Sequence, residues 1–321
     1  MKRREFLRLA GAGVAAGLVP LGARDGAAQP VHRLVRQRDR RLVERWSWAM
    51  GQPVHLQLYA ESDDLGYEAA AAALAELRRI ESRLSIFEDV SDLAELNRSA
   101  GRHALRVGPD LAAVLEAAER ARRSSAGAFD PAVEPLMRAW GFHGARSTAP
   151  SAAELGEARR AVRAAQVTIQ GDRVRLAGTA SRLDLGGIGV GYGLDRAAAV
   201  LRRAGVRRAL LDVSGDCIAI GAPPGEAGWE VAIARPRAPS RLLAVTRLRD
   251  AALATSSNLV SVVRYGRAVR GHVMDPERGV PADALVQATA VATSGVVADA
   301  LSTAMLVSGR VPDGLLRAYR V

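Results

Sequence analysis

With 321 residues the chain can bury a large core, as one big domain or two small ones, and its composition is that of a soluble globular protein. The net charge of +11 comes from an Arg-rich sequence in which Lys2 is the only lysine, a choice that reads as codon bias and is discounted as a sign of nucleic acid. The few aromatic residues do not interleave with the arginines, so there is no stacking platform for a single strand and no nucleic-acid partner is expected.

Residues 1–28 read as a targeting signal. Lys2-Arg3-Arg4-Glu5-Phe6-Leu7 carries a twin arginine, Leu9 to Ala23 forms an apolar run, and Gly26-Ala27-Ala28 offers small residues for cleavage. The run is shorter than the ~18 residues of a membrane span. The pattern resembles a twin-arginine export signal, so a periplasmic protein is expected, held at the inner membrane if the signal stays uncleaved. Cys217 is the only cysteine, so no internal disulfide forms despite an oxidising destination. Residues 29–45 are polar and Arg-rich, the composition of a flexible lead-in to a domain spanning 46–321.

In chain order, Val54–Tyr59 alternates as a half-buried strand does, and Asp64–Leu84 has helical spacing with Asp64 placed to cap it. A turn and a short helix follow over Ser85–Asn97, then a helix over Pro109–Arg123. Gly127-Ala128-Phe129-Asp130-Pro131 makes a rigid turn in which spacing alone marks Asp130 as a helix cap. Ser151 and Glu154 form a capping box ahead of a helix to about Ala165. Gly171-Asp172 joins Val167–Gln170 to Arg173–Leu176 as a hairpin.

Leu183 to Gly193 reads as a strand entering a helix that ends near Gly205. Its glycines allow close backbone approach, to a ligand or simply within a tight turn, but fit neither a Rossmann fingerprint nor a P-loop. Leu210–Ile220 looks like a buried strand broken by Ser214-Gly215-Asp216. Trp229–Ile233 and Leu253–Ser257 read as continuing that sheet, and a hairpin over 262–274 delivers His272 just before Asp275-Pro276. A lone histidine in such a place is more often structural than catalytic. Strands and helices without strict alternation indicate α+β.

The last strong signal is Val291–Gly309, strand-like at first and then a helix closed by Gly309. Asp299 and Thr303 are four apart and share a helix face. A carboxylate and a hydroxyl offer hard oxygens that suit Mg²⁺ better than zinc. Taken alone, a back-bonded threonine and a solvated aspartate are the commoner reading.

Together the islands resemble the ApbE family, the FAD:protein FMN transferases. They are Met50-Gly51, Ser85-x-Phe87, Leu96-Asn97, Gly127-x-Phe-Asp-Pro131, Asp184-Leu-Gly-Gly-Ile-x-x-Gly-Tyr192, Ser-Gly-Asp216, His272-x-x-Asp-Pro276 and Ala298-Asp-Ala-x-x-Thr303. The resemblance implies an α+β fold with mixed sheets and packed helices, of the T-fold-like flavin transferase kind. It implies Mg²⁺ held by Asp299, Thr303 and the Gly187 carbonyl, and FAD held by Met50, Phe87, Ala128, Phe129, Asp130, Asp184, residue 190 and the His272 motif. It further implies transfer of FMN from FAD to a Thr or Ser hydroxyl of an acceptor protein, a membrane redox subunit or an exported flavoprotein, with AMP released. His272 or the metal-coupled Asp299 carboxylate would take the hydroxyl proton. Two positions depart from the family pattern: Val190 stands where lysine is common, and Ser214 where glycine is usual. Hydrolysis of FAD to FMN and AMP, or flavin binding without catalysis, therefore stand as alternatives.

Overall fold

A computed structural model describes residues 41–144 and 146–321. The stretch read as an export signal and the expected lead-in up to residue 40 lie outside the described residues. The lead-in does not extend to residue 45: Arg41–Ala49 is strand β1, paired along its whole length with β2 (Gln52–Ala60). Only Val43 and Ala49 of β1 are buried, so the strand lacks the continuous apolar signal by which a sequence announces one.

The β1–β2 turn has two residues, Met50 and Gly51, both with positive φ (56° and 68°), the geometry whose twist matches a hairpin. Their amides donate to one carboxylate, that of Glu81, at 2.9 and 3.0 Å, which offsets the cost of a left-handed methionine. Helix α1 (Asp63–Leu84) supplies that glutamate. It is capped by Ser62, whose hydroxyl accepts the Leu65 amide, and not by Asp64, which sits inside the first turn.

The remaining helices are α2 (Asp92–Ser99), α3 (Pro109–Ser124), α4 (Glu134–Ala139, after a 3₁₀ turn at Pro131–Val133), α5 (Ala152–Ala164), α6 (Gly189–Arg203) and α7 (Gly295–Ser308). The capping box expected at Ser151 and Glu154 is present, and Gly309 closes α7 at φ 68°. Short strands β3 (Leu105–Arg106), β4 (Val167–Gln170) and β5 (Arg173–Leu176) form a small sheet beside α3 to α5.

The main sheet has seven strands in the order β1-β2-β6-β7-β10-β15-β16, each pair antiparallel. Its other members are β6 (Ala209–Val213), β7 (Asp216–Ile220), β10 (Ala251–Ser257), β15 (Gln287–Ala292) and β16 (Arg317–Arg320). The polar trio thus does not break one strand. Ser214 and Gly215, both at positive φ, turn β6 back on β7 as a hairpin. Trp229–Ile233 does not continue this sheet either: β8 (Trp229–Arg235) pairs with β9 (Ala238–Leu248) as a separate ribbon.

Side-chain alternation sorts the sheet into two faces. Leu211, Val213, Ile218, Ile220, Ala252 and Ala254 pack under α1, α6 and α7. Leu210, Cys217, Ala219, Ala251 and Leu253 pack against Trp229, Val231, Ile233 and Leu248 of the ribbon. A further core of Leu96, Leu111, Leu115, Leu136, Leu183 and Ile188 gathers α2 to α5 around the segment entering α6. The remaining strands are short: β11 (Val262–Tyr265) with β12 (Ala268–Gly271), and β13 (Met274–Asp275) with β14 (Val280–Pro281). Among the described residues no helix is long and apolar enough to cross a membrane.

Candidate active site

A cavity of about 630 Å³ opens where the β6–β7 and β10 region, the β8–β9 ribbon and the loops of the α2–α5 lobe meet. Phe87, Ala128, Phe129, Asp130, Asp184, Gly187, Val190, His272, Asp299 and Thr303 all line it. Met50 does not. Its thioether packs beneath α6 against Gly193, and its neighbour Gln52 reaches the cavity instead. The left-handed turn that Met50 must adopt points the side chain inward to the core.

Residues 183–188 are an irregular loop, not the strand expected from sequence. Asn97 holds the loop as a neighbouring strand would: its side chain accepts the Leu183 amide at 2.7 Å and donates to the Leu183 carbonyl at 2.9 Å. The glycines then do different jobs. A Cβ on Gly191 would lie 2.2 Å from the Gly295 carbonyl oxygen and 2.7 Å from the Asp299 Cβ, so Gly191 exists to let α6 and α7 cross closely. A Cβ on Gly187 would lie 3.0 Å from Thr303 Oγ1, which puts the loop backbone directly beside that hydroxyl. Tyr192 is structural: its hydroxyl donates to Asp110 at 2.8 Å. Asp195 on α6 accepts the amides of Gly295 and Val296 at 2.7 and 2.9 Å, pinning the N-terminus of α7.

These contacts aim Asp299 and Thr303 into the same corner. Asp299 is buried, and its Oδ2 accepts the Gly191 amide at 2.9 Å. Burial pushes its carboxyl up to about 7, against that hydrogen bond and with Asp195 adding repulsion. Thr303 Oγ1 lies 3.0 Å from Ser256 Oγ on β10. Asp216, first residue of β7, accepts the Thr255 amide at 2.8 Å, and its carboxyl is pushed well up by burial and then by the Asp299 charge. Asp299 and Asp216, neither of them ion-paired among the described residues, stand beside a hydroxyl and a glycine backbone and form a donor set of hard oxygens. Among the described residues no group of three His, Cys, Asp or Glu side chains is placed to hold a metal ion, so any ion here would draw on hydroxyl and carbonyl oxygens as well.

The opposite side of the cavity is built from turns. Asp130 caps the 3₁₀ turn by accepting the Ala132 amide at 2.8 Å, as its spacing indicates, while also facing the cavity; burial raises its carboxyl. Phe87 is 58% exposed, and its ring meets the edge of His143 at 5.5 Å between centroids. Phe142 meets His272 in the same manner at 6.4 Å. Burial lowers the His272 pKa, with the nearby Asp184 charge and a hydrogen bond to the Ser261 backbone opposing, which favours a neutral imidazole.

Sequence reasoning assigned no role to Asp216, Asp212, Ser256 or His143, all of which line the cavity. A signal existed for the first two: each is an acidic residue in an otherwise apolar strand, where an uncompensated carboxylate calls for a reason. Ser256 and His143 carry no such signal, because each is placed by contacts with residues far away in sequence.

The ApbE family model matches residues 50–316. A FAD:protein FMN transferase of Rhodobacter capsulatus is 34% identical over 225 residues, 68% of this chain and 42% of its own length, so the chain spans less than half of that relative. A FAD:protein FMN transferase of Klebsiella pneumoniae is 27% identical over 278 residues, 84% of each chain. Among solved structures, the ApbE protein of Thermotoga maritima aligns with a TM-score of 0.77 at 27% identity, covering 83% of this chain and 87% of that one.

Proposed function

This chain belongs to the ApbE family, and from that premise we propose that it transfers FMN from FAD to a Thr or Ser hydroxyl of an acceptor protein. The observation that carries the reading is the convergence in one cavity of the Asp299, Thr303 and Gly187 corner with a flank of phenylalanine and histidine rings. The first suits phosphoryl chemistry and the second a flat ring system.

In the proposed reaction the acceptor hydroxyl oxygen attacks the FMN phosphorus. The bond from that phosphorus to the bridging oxygen breaks, and AMP leaves with the electron pair. The hydroxyl proton passes to a base of this chain. His272 suits that task, since burial keeps it neutral, and its Nδ1 has no hydrogen-bond partner among the described residues. Asp299, Thr303 and the Gly187 backbone would hold Mg²⁺, and Asp216, whose carboxyl feels the Asp299 charge, lines the same cavity. When bound, that ion supplies neutralisation of the pyrophosphate. The Gly191 amide keeps Asp299 turned into the corner.

The reading is tested by mixing the pure protein with FAD, Mg²⁺ and a candidate acceptor domain. Flavin fluorescence that stays on the acceptor after denaturation is the expected outcome. Free FMN and AMP with an unlabelled acceptor would turn the reading to hydrolysis, and unchanged bound FAD to a flavin carrier. Calorimetry should also find FAD bound more tightly than FMN, because the AMP half adds contacts.

We further propose that the chain is exported and meets an acceptor in the periplasm, on the strength of Arg3 and Arg4 and the apolar run after them. Arg3→Lys with Arg4→Lys should strand the precursor in the cytoplasm. Normal periplasmic accumulation of the double variant would exclude the twin-arginine route.

A further inference from the structure

His143 lies at the end of the α4 region, in a stretch from which no element or site was expected. Its side chain is only 11% exposed, yet it lines the cavity. Two carboxylates face it from separate parts of the fold. Nε2 is 3.5 Å from Asp184 Oδ2 on the glycine loop, and Nδ1 is 3.8 Å from Glu134 Oε1 on the first turn of α4. Arg138 ties Glu134 down from the outside at 2.7 Å. The imidazole thus stands between a helix anchored in the α2–α5 core and a loop on the cavity rim, its Nδ1 without a hydrogen-bond partner among the described residues.

What this link orients is Asp184. Its Oδ1 accepts the Gly186 amide at 2.7 Å, and its own amide donates to the Pro131 carbonyl at 2.7 Å. Oδ2 faces His143 Nε2 at ion-pair distance, longer than a hydrogen bond, so the ring limits how far the carboxylate can turn. A carboxylate has about four acceptor positions, so one bonded at Oδ1 and flanked by an imidazole at Oδ2 still presents lone pairs in preferred directions. Those lone pairs select a hydrogen-bond donor and repel a phosphate. In the flavin half of the nucleotide the donors are the ribityl hydroxyls and the ring imide, and Phe87, Phe129 and Phe142 line the cavity as apolar surface for the ring itself.

We propose that His143 is a positioning residue for the flavin half of the nucleotide, acting by fixing Asp184 as an acceptor between the glycine loop and the Phe87 ring. The inference rests on the reading of the cavity as a flavin nucleotide site and extends it to a residue to which no role has been given. The phosphates, on this arrangement, lie away from Asp184 and towards the Asp299 corner.

The test is binding of riboflavin, FMN, FAD and AMP to the full chain, to His143→Phe and to His143→Gln, with thermal melts alongside. Phenylalanine keeps a ring against Phe87 but cannot hydrogen-bond to Asp184; glutamine can donate to it. If His143→Phe does not fold, His143→Ala takes its place. The expected result is a similar loss, about tenfold, for riboflavin, FMN and FAD in His143→Phe. AMP binding should be unchanged, and His143→Gln should recover most of the flavin affinity. In the transfer assay the KM for FAD should rise while kcat changes less than about twofold. Unchanged flavin affinity in His143→Phe overturns the proposal. So does a loss of AMP affinity in step with riboflavin, or an equal loss in both variants that tracks a lowered melting temperature. If the wild type binds neither riboflavin nor FAD, the functional reading itself falls and the proposal with it; wild-type binding with an indifferent His143→Phe removes the proposal alone.

Discussion

The cavity has two walls built on different principles. On one, Asp299, Thr303, Asp216 and Ser256 project from a helix and two central strands, and each is held by a hydrogen bond to a neighbouring element. On the other, Phe87, Asp130, His143, Asp184 and His272 come from turns and loops, and the rings meet edge to face at 5.5 and 6.4 Å. The difference follows from the cost of burial. A carboxylate taken out of water must be placed where a backbone amide can meet it; Asp299 and Asp216 find theirs on distant packed elements, whereas Asp130 and Asp184 find theirs two residues along their own turns. Rings that clasp a flat ligand need area more than fixed direction, and turns provide it at little cost to the core.

If this contrast is right, the largest effect should come from the charged wall. Asp299→Ala should cut flavin transfer by about 10²–10³-fold, as expected for loss of a group that stabilises transition-state charge. Asp299→Asn, which keeps the shape and one oxygen, should recover partly in excess Mg²⁺. Transfer within tenfold of wild type in Asp299→Ala would move the chemistry to another part of the cavity.

Next comes the crossing that positions that wall. Gly191→Ala would bring its Cβ to 2.2 Å from the Gly295 carbonyl oxygen, a backbone contact that cannot relax by a rotamer change. It should cost about 2–3 kcal/mol of stability, measured by denaturant unfolding. Gly127→Ala tests the converse: space there is open, since nothing lies within 4 Å of its Cβ position, and only the strain of its φ of 84° is paid. It should cost about 1–2 kcal/mol. Equal effects of the two would erase the distinction between close packing and backbone strain.

A smaller shift is expected at Thr303. Thr303→Val keeps the shape and removes a neutral oxygen, so the Mg²⁺ concentration for half-maximal transfer should rise about tenfold while the fold survives. An Mg²⁺ curve unchanged from wild type in both Thr303→Val and Asp299→Asn would remove the proposed metal assignment. The smallest effect belongs to the loop wall. Phe87→Ala should weaken FAD binding by about threefold to fivefold, roughly the worth of one aromatic contact. Its melting temperature should stay near that of the wild type, since the ring is 58% exposed.

Much of the fold was legible because it is local. The Ser151–Glu154 capping box, the Gly171-Asp172 hairpin and the Gly309 stop each depend on residues within nine positions of one another, and each appears where expected. The Asp299–Thr303 pairing was legible for the same reason, since helical spacing alone puts both on one face. What failed was non-local. The edge strands β1 and β16 pair without an apolar run to announce them. The stretch before α6 has apolar residues and still forms no strand, because its hydrogen bonds go to Asn97, 86 positions away.

The sequence by itself determined the capping box at Ser151, the stop at Gly309 and the shared helix face of Asp299 and Thr303, because capping, periodicity and turn geometry act over a few residues. Tertiary structure alone decided that Met50 turns into the core, that Asp216 comes to rest beside Asp299, and that His143 stands between Glu134 and Asp184. Each of those placements is set by chain segments packed together from 9 to more than 140 positions apart, and a linear pattern has no local term for the burial and charge they create.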